Sequence, residues 1–124
     1  MDVDLANRLF DFAVRVIRFL RSLPNLPEFN NIRYQLSKSA TSSGANYEEA
    51  QAASSKPDFL YKIEISLKEM RESNYWLRMI KALNEFEGQK DGELGELISE
   101  STELKNILGK IVSSTRININ DYHN

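Results

Sequence analysis

An all-α chain that folds as an up-and-down four-helix bundle is the architecture the sequence predicts, on three observations. Apolar residues recur at steps of three and four along four separate stretches, the period of a helix with one buried stripe. Short breaker segments separate these stretches, at Pro24 to Pro27, Ser55 to Pro57 and Gly88, and connections that short join antiparallel neighbours. The 124 residues contain three Pro and five Gly, all at interpretable places, and no convincing strand.

The first helix is expected over residues 4–21, with acids in its first turn and Arg in its last, as the helix dipole favours. Its seam is Leu5, Leu9, Phe12, Val16, Phe19 and Leu23, while Phe10, Val14 and Ile17 lie on another side. Two prolines three apart, Pro24 and Pro27, end it. The second helix is expected over 28–53, with Phe29, Ile32, Leu36, Ala40, Ser43, Tyr47 and Ala50 on one stripe. From Ser37 to Ala45 every residue except Lys38 is Ser, Ala, Thr or Gly. Low helix propensity there would allow a flexible loop that splits the element. The stripe keeps its phase across the segment, which favours the other reading, in which small side chains admit a close neighbour helix.

Ser55 as N-cap, Pro57 in the first turn and an acid at Asp58 open the third helix, expected over 57–86 and stopped at Gly88. It is the longest uninterrupted helical stretch, with Leu60, Ile63, Leu67, Met70, Asn74 and Leu77 as its seam. Ile65, Trp76, Met79 and Leu83 fall roughly 140 to 200° away, on the side a monomeric bundle gives to water. The fourth helix is expected over 92–114, capped by Asp91, with Leu94, Leu97, Ile98, Leu104, Leu108, Ile111 and Val112 on one face. Residues 116–124, which alternate Ile117 and Ile119 with polar residues, read as a loose tail outside a single domain of residues 1–115.

A chain this long buries about two-thirds of its unfolded surface and needs no staple. It has no Cys, which removes disulfides, thiolate chemistry and Cys-based zinc sites and suits a reducing cytoplasm. The first nine residues lack the basic and apolar regions of a signal peptide, and no run is long enough to span a bilayer. The expectation is a cytoplasmic protein that does not contact the membrane. Net charge is −2, but residues 1–83 hold 12 Lys and Arg against 10 Asp and Glu, and residues 84–124 hold four against eight. The acidic excess thus belongs to the last third, which leaves room for a local basic surface elsewhere.

Two segments stand out together: Ser39 through Ala50, reading SATSSGANYEEA, and Asp58-Phe59 through Lys68-Glu69-Met70-Arg71-Glu72-Ser73 to Tyr75-Trp76-Leu77. With Phe12-Ala13 and Gln35-Leu36, the chain over roughly residues 5–83 resembles the bacterial four-helix bundle protein family related to proteins encoded in ribosomal RNA intervening sequences. Where that family usually has Ile, this chain has Ser43. The resemblance implies a left-handed antiparallel bundle that associates into a ring, commonly a pentamer, and a physiological role that is not firmly known. Distant relatives serve as accessory subunits of diversity-generating retroelements, in which a basic ring binds a reverse transcriptase and nucleic acid. The acidic balance of this chain departs from that pattern.

Catalytic equipment is not visible. The single His, His123, removes Glu-x-x-His di-iron pairs and any Ser-His-Asp constellation, and no Gly-rich phosphate loop follows a strand. Glu48, Glu49, Glu64, Glu69 and Glu72 read as solvated or paired helix-surface charges rather than as an acid and base pair. No enzyme activity, cofactor or metal is therefore expected. Asn46, Glu49 and Asn74 are candidates for structural polar contacts, Asn74 because it sits mid-seam and needs a partner or a water. Arg8, Arg15, Arg18 and Arg21 form a ridge along the first helix that either tracks the phosphates of RNA or DNA or pairs with acids of the last helix. Trp76 with Ile65, Met79 and Leu83, and Phe10 with Ile17, make two further apolar faces. Such faces fit an interface with other copies of the chain unless the bundle itself covers them. The expected function is a non-enzymatic homo-oligomeric scaffold or accessory protein that contacts RNA or DNA, the alternative being a protein-protein interaction module without nucleic-acid binding.

Overall fold

The four apolar stripes meet in one core. In the computed structural model they lie on α1 (Asp2–Leu20), α2 (Pro27–Gln51), α3 (Lys56–Leu83) and α4 (Gln89–His123). The structure describes residues 2–83 and 88–123, with side chains described for residues 5–83, 88 and 90–120. Each helix packs against its neighbours in chain order, and α4 closes the square against α1. Arg8 of α1 pairs with Glu100 of α4 while the carbonyl of Ser22, just past α1, accepts from Lys90 near the start of α4, so these two helices run antiparallel. Arg33 near the start of α2 reaches back to Leu20 at the end of α1, as in an antiparallel hairpin.

All six residues of the first seam and all seven of the second are buried. Each large side chain that is fully enclosed, such as Phe12, Leu36, Ile63 or Leu104, contributes roughly 1.5 to 3 kcal/mol relative to exposure. Along α3, Ile63, Leu67, Met70, Asn74 and Leu77 are buried, and Leu60 is half-buried near the helix start.

The helix ends follow local chemistry. At the end of α1 the Arg33 guanidinium donates to three backbone carbonyls: Leu20 at 3.2 Å, Leu23 at 2.6 Å and Pro24 at 3.0 Å. A cation there satisfies acceptors without intrahelical partners and complements the negative helix terminus. Pro27 occupies the first turn of α2, where its missing N–H costs nothing. At α3 the Asp58 N–H donates to Ser55 Oγ at 3.1 Å, the cap its sequence announces, and Asp58 Oδ2 accepts from the N–H of Ser54, one residue before that cap. The last expected turn of the third helix, residues 84–86, lies outside the described residues. Gly88 has φ 65°, the left-handed region that Gly enters without a Cβ clash.

Most described boundaries of the first three helices differ from the sequence reading by one or two residues, and the two of the fourth helix differ by more. The fourth helix begins at Gln89, so Asp91 sits in the first turn and accepts from Lys81 Nζ at 3.3 Å instead of serving as cap. At the other end the helix continues to His123, through the segment read as a loose tail. Past Gly109 there is no Pro or Gly to stop it, and extending an existing helix avoids the cost of a new nucleus. The Arg116 to Glu64 ion pair ties this part to α3.

The small-residue segment of α2 stays helical and meets a neighbour closely on each of two sides. On one side, a methyl group at Gly44 would lie 3.4 Å from Leu9 Cβ. On the other side, Ser43 Oγ donates to the Ser66 carbonyl at 2.8 Å while Ser66 Oγ donates to the Ser43 carbonyl at 2.7 Å. Two turns of α3 further on, Ser39 and Ser73 hydroxyls pair at 2.8 Å. All four serines are fully buried. A hydroxyl that reaches the backbone of the facing helix requires axes near the short end of the usual 8 to 10 Å separation. Ser43→Ala should cost about 1 kcal/mol in urea unfolding, and Ser43→Leu about 2 kcal/mol or more through overpacking. Equal stability of the two variants would show that the helices are not held close at this point.

Candidate functional site

Phe10, Val14 and Ile17 of α1 line a groove of about 350 Å³ with Thr41, Gly44 and Ala45 of α2. Phe10 is 62% exposed and Ile17 36%, while Leu9 and Ala13 form the buried floor. The groove exists because Gly44 draws α2 against Leu9 and because Thr41 and Ala45 add little bulk beyond it. One carboxylate, Glu48, stands at its rim. Among described residues the groove holds no cluster of titratable groups, so its chemistry is that of apolar contact.

The α3 face is less open than its sequence suggests. Trp76, expected at the centre of an exposed patch, is half-buried against the edge of the core, as is Met79, and Ile65 is half-buried too. The indole sits one turn from Ser73, so the closely packed α2 shields this flank of α3. Its ring meets Tyr75 edge-on, with centroids 5.2 Å apart, and its Nε1 is buried without a partner among the described residues. Leu83 remains 50% exposed. The α3 patch thus keeps Leu83 half-exposed and open to contact, with Met79 and Ile65 at its margin.

The Arg ridge of α1 faces the acids of α4. Arg8 donates to both carboxylate oxygens of Glu100, at 3.0 and 2.8 Å, and its guanidinium lies 3.1 Å from Glu103. Arg15 and Arg18 share a cleft of about 250 Å³ with Glu93 and Glu96. Arg21, at the end of the ridge, is exposed. Four carboxylates therefore oppose the field of the ridge, and the acidic excess of the last third of the chain is placed against it.

The three structural polar candidates divide. Asn74 has the partners its buried position demands: its Nδ2 donates to Ser101 Oγ at 2.9 Å and Thr102 Oγ1 at 3.1 Å, and its Oδ1 accepts from Arg78 Nε at 2.9 Å. It ties α3 to α4. Asn46 instead donates within its own helix, to Ser42 O and Oγ, so it does not set the register between helices. Glu49 is exposed, and pairs with Lys62 of α3 at 3.0 Å. Arg33 was not singled out in the sequence, although an Arg one to two turns into the helix after a Pro-rich turn is well placed to reach back to the preceding helix end.

Glu69 lies on the same flank of α3 as Trp76, with Oε2 buried and unpartnered among the described residues. Burial holds its carboxyl above the usual carboxylate range; Glu72 adds to this, and Lys68 and Lys38 oppose it. The folded chain therefore binds this proton more tightly than the unfolded chain, and stability falls as pH rises through the carboxylate range. Glu69→Gln should raise Tm by a few degrees near pH 7, and the two proteins should converge near pH 4, as followed by circular dichroism. A gain that is the same at both pH values would remove the ionisation as its cause.

The described residues contain no helix long and apolar enough to cross a membrane. No curated protein matches the chain. A crystal structure from Bacteroides thetaiotaomicron, described as a protein with unknown function from the S23 ribosomal protein family, superposes with a TM-score of 0.76 at 31% identity, covering 87% of this chain and 97% of that one. The family model for the 23S rRNA-intervening sequence protein matches residues 1–110. Neither description names a reaction. Together with a bundle built on the Ser39 to Ala50 segment, these likenesses carry one conclusion: the chain belongs to the 23S rRNA-intervening sequence protein family.

Proposed function

We propose that the protein is a non-enzymatic scaffold that associates with copies of itself, the α1/α2 groove of one copy receiving the Leu83 end of the α3 flank of the next. The observation that carries this reading is the groove itself: an apolar cleft with a 62% exposed Phe10 leaves the kind of surface that soluble monomers seldom expose in one patch. A second copy is the occupant favoured here because the same chain carries a separate apolar surface, at Leu83, Met79 and Ile65, on a different helix. Two unlike faces on one protomer associate head to tail, and a head-to-tail contact closes into a ring when its rotation allows. The ring, with five copies as the resemblance implies, is part of the same reading. The α1 ridge supports nucleic-acid contact poorly, since Glu93, Glu96, Glu100 and Glu103 oppose it.

Light scattering coupled to gel filtration tests the proposal. The wild-type chain should run as an oligomer, whereas Phe10→Glu with Ile17→Glu, or separately Leu83→Glu with Met79→Glu, should give monomers that keep their helical circular dichroism. Mixing the two monomeric variants should yield a heterodimer, because each retains one intact face. A monomeric wild type would overturn the proposal, and so would two variants that fail to complement each other.

A further inference from the structure

A basic surface lies on the side of the bundle away from the α1 ridge. Arg71 of α3 and Lys105, Asn106, Lys110, Ser113 and Ser114 of α4 line a cleft of about 730 Å³ with no carboxylate in its walls. Gly109 lies between them, and a Cβ there would meet nothing within 4 Å, so the cleft stays open along its floor. Among the described residues, Arg71, Lys105 and Lys110 make no ion pair, whereas Arg8, Lys62, Lys81 and Arg116 are each paired. Two acids of the same helices, Glu64 and Glu103, are held by Arg116 and Arg8. Three uncompensated cations remain, beside hydroxyls and an amide that can donate to oxygen anions.

An aromatic side chain continues this surface. Tyr75 stands one turn beyond Arg71 on α3 and is 46% exposed, with the Arg78 guanidinium 5.9 Å from its ring centroid. Asn74 beside it is bonded to Ser101 and Thr102 of α4, which places Tyr75 at the Lys105 end of the cleft. From Lys105 to Ser114 the helix rises about 13 Å, the length of about four stacked nucleotides at 3.4 Å each. Cations spaced along a groove with an exposed ring at one end form the arrangement that holds a strand by its phosphates and stacks a base that no partner strand covers.

We infer that the α3/α4 face binds single-stranded nucleic acid, with phosphates in the Arg71, Lys105 and Lys110 cleft and a base stacked on Tyr75. The cleft lies within one protomer, so the inference stands whether or not the chain self-associates.

Fluorescence anisotropy on the full chain tests it, with labelled oligonucleotides of about 12 nucleotides as single-stranded RNA, single-stranded DNA and duplex DNA. Tripolyphosphate serves as the bare-anion competitor. Single strands should bind more tightly than duplex, with a slope of log affinity against log salt near −2 for three phosphate contacts. Arg71→Ala or Lys110→Ala should each flatten that slope by about 0.7. Tyr75→Leu should weaken binding about tenfold or more without changing the slope, and Tyr75→Phe should restore it. Arg15→Ala with Arg18→Ala serves as control and should change nothing. Single-stranded RNA and DNA binding alike fits contacts to phosphate and base faces, and a preference for RNA adds a 2′-hydroxyl contact to them. Binding that survives loss of the three cleft cations would overturn the inference. Displacement by tripolyphosphate with no response to Tyr75→Leu would reduce the site to a bare anion pocket and overturn the strand reading.

Discussion

The close contact of α2 with α3 is the constraint on which the rest of the molecule depends. A bundle helix ordinarily meets its neighbour through Leu and Ile, which hold the axes apart. Here Ser43 and Ser66 each donate to the backbone carbonyl of the facing residue, and Ser39 and Ser73 meet hydroxyl to hydroxyl. Burying four hydroxyls is costly unless every one is bonded, and every one is. The same segment of α2 presents Gly44 to Leu9 on an adjoining side, so one run of small residues draws in two helices. Where the family resemblance implies Ile, Ser43 exchanges apolar volume for proximity, and the reciprocal hydrogen bonds with Ser66 offset the loss.

Consequences of that proximity reach both surfaces. Because α2 lies close to α3, the flank of α3 that carries Trp76 and Glu69 is partly enclosed, which leaves a buried indole N–H and a raised carboxyl group. Because α2 also lies close to α1, the groove beside Phe10 is shallow in backbone and lined by small side chains. The α3/α4 side is built differently. Its tie is Asn74, whose amide is satisfied by hydroxyls of α4 and by Arg78. Beyond that tie the outer face opens into the cleft between Arg71 and Lys110.

Much of the fold was legible because its signals are local or periodic. The four stripes, the Pro24 to Pro27 break and the Ser55 cap need only neighbours along the chain. The phase of the second stripe was enough to keep Ser37 to Ala45 helical. What escaped the sequence depends on distance across the bundle. Helix periodicity places Trp76 on the outer side of α3, but how far a neighbour overlaps that side depends on the separation of the axes. The Arg ridge is visible in the spacing of Arg8, Arg15, Arg18 and Arg21, and pairing with acids of the last helix is one of its two readings; which acids stand opposite, some 80 residues later, follows only from the packing. The same holds for Arg71 and Lys110, which are unremarkable singly and form a cleft only when α3 and α4 lie side by side. The alternating Ile117 and Ile119 misled for a related reason, since a two-residue period without a sheet to join does not prevent a helix from continuing.

The unequal lengths of the helices carry a last implication. With Arg8 set against Glu100 and Glu103, α1 runs out beside about residue 109 of α4, and the remaining turns of α4 have α3 as their one neighbour. A rod clamped on two sides along its first half and on one side along its second has a built-in gradient of rigidity. Amide protons should exchange soonest toward its far end, where fewer buried groups must separate for a turn to open. Thermal motion in this chain is thereby gathered at one end of the bundle and kept away from the tight α1/α2/α3 junction.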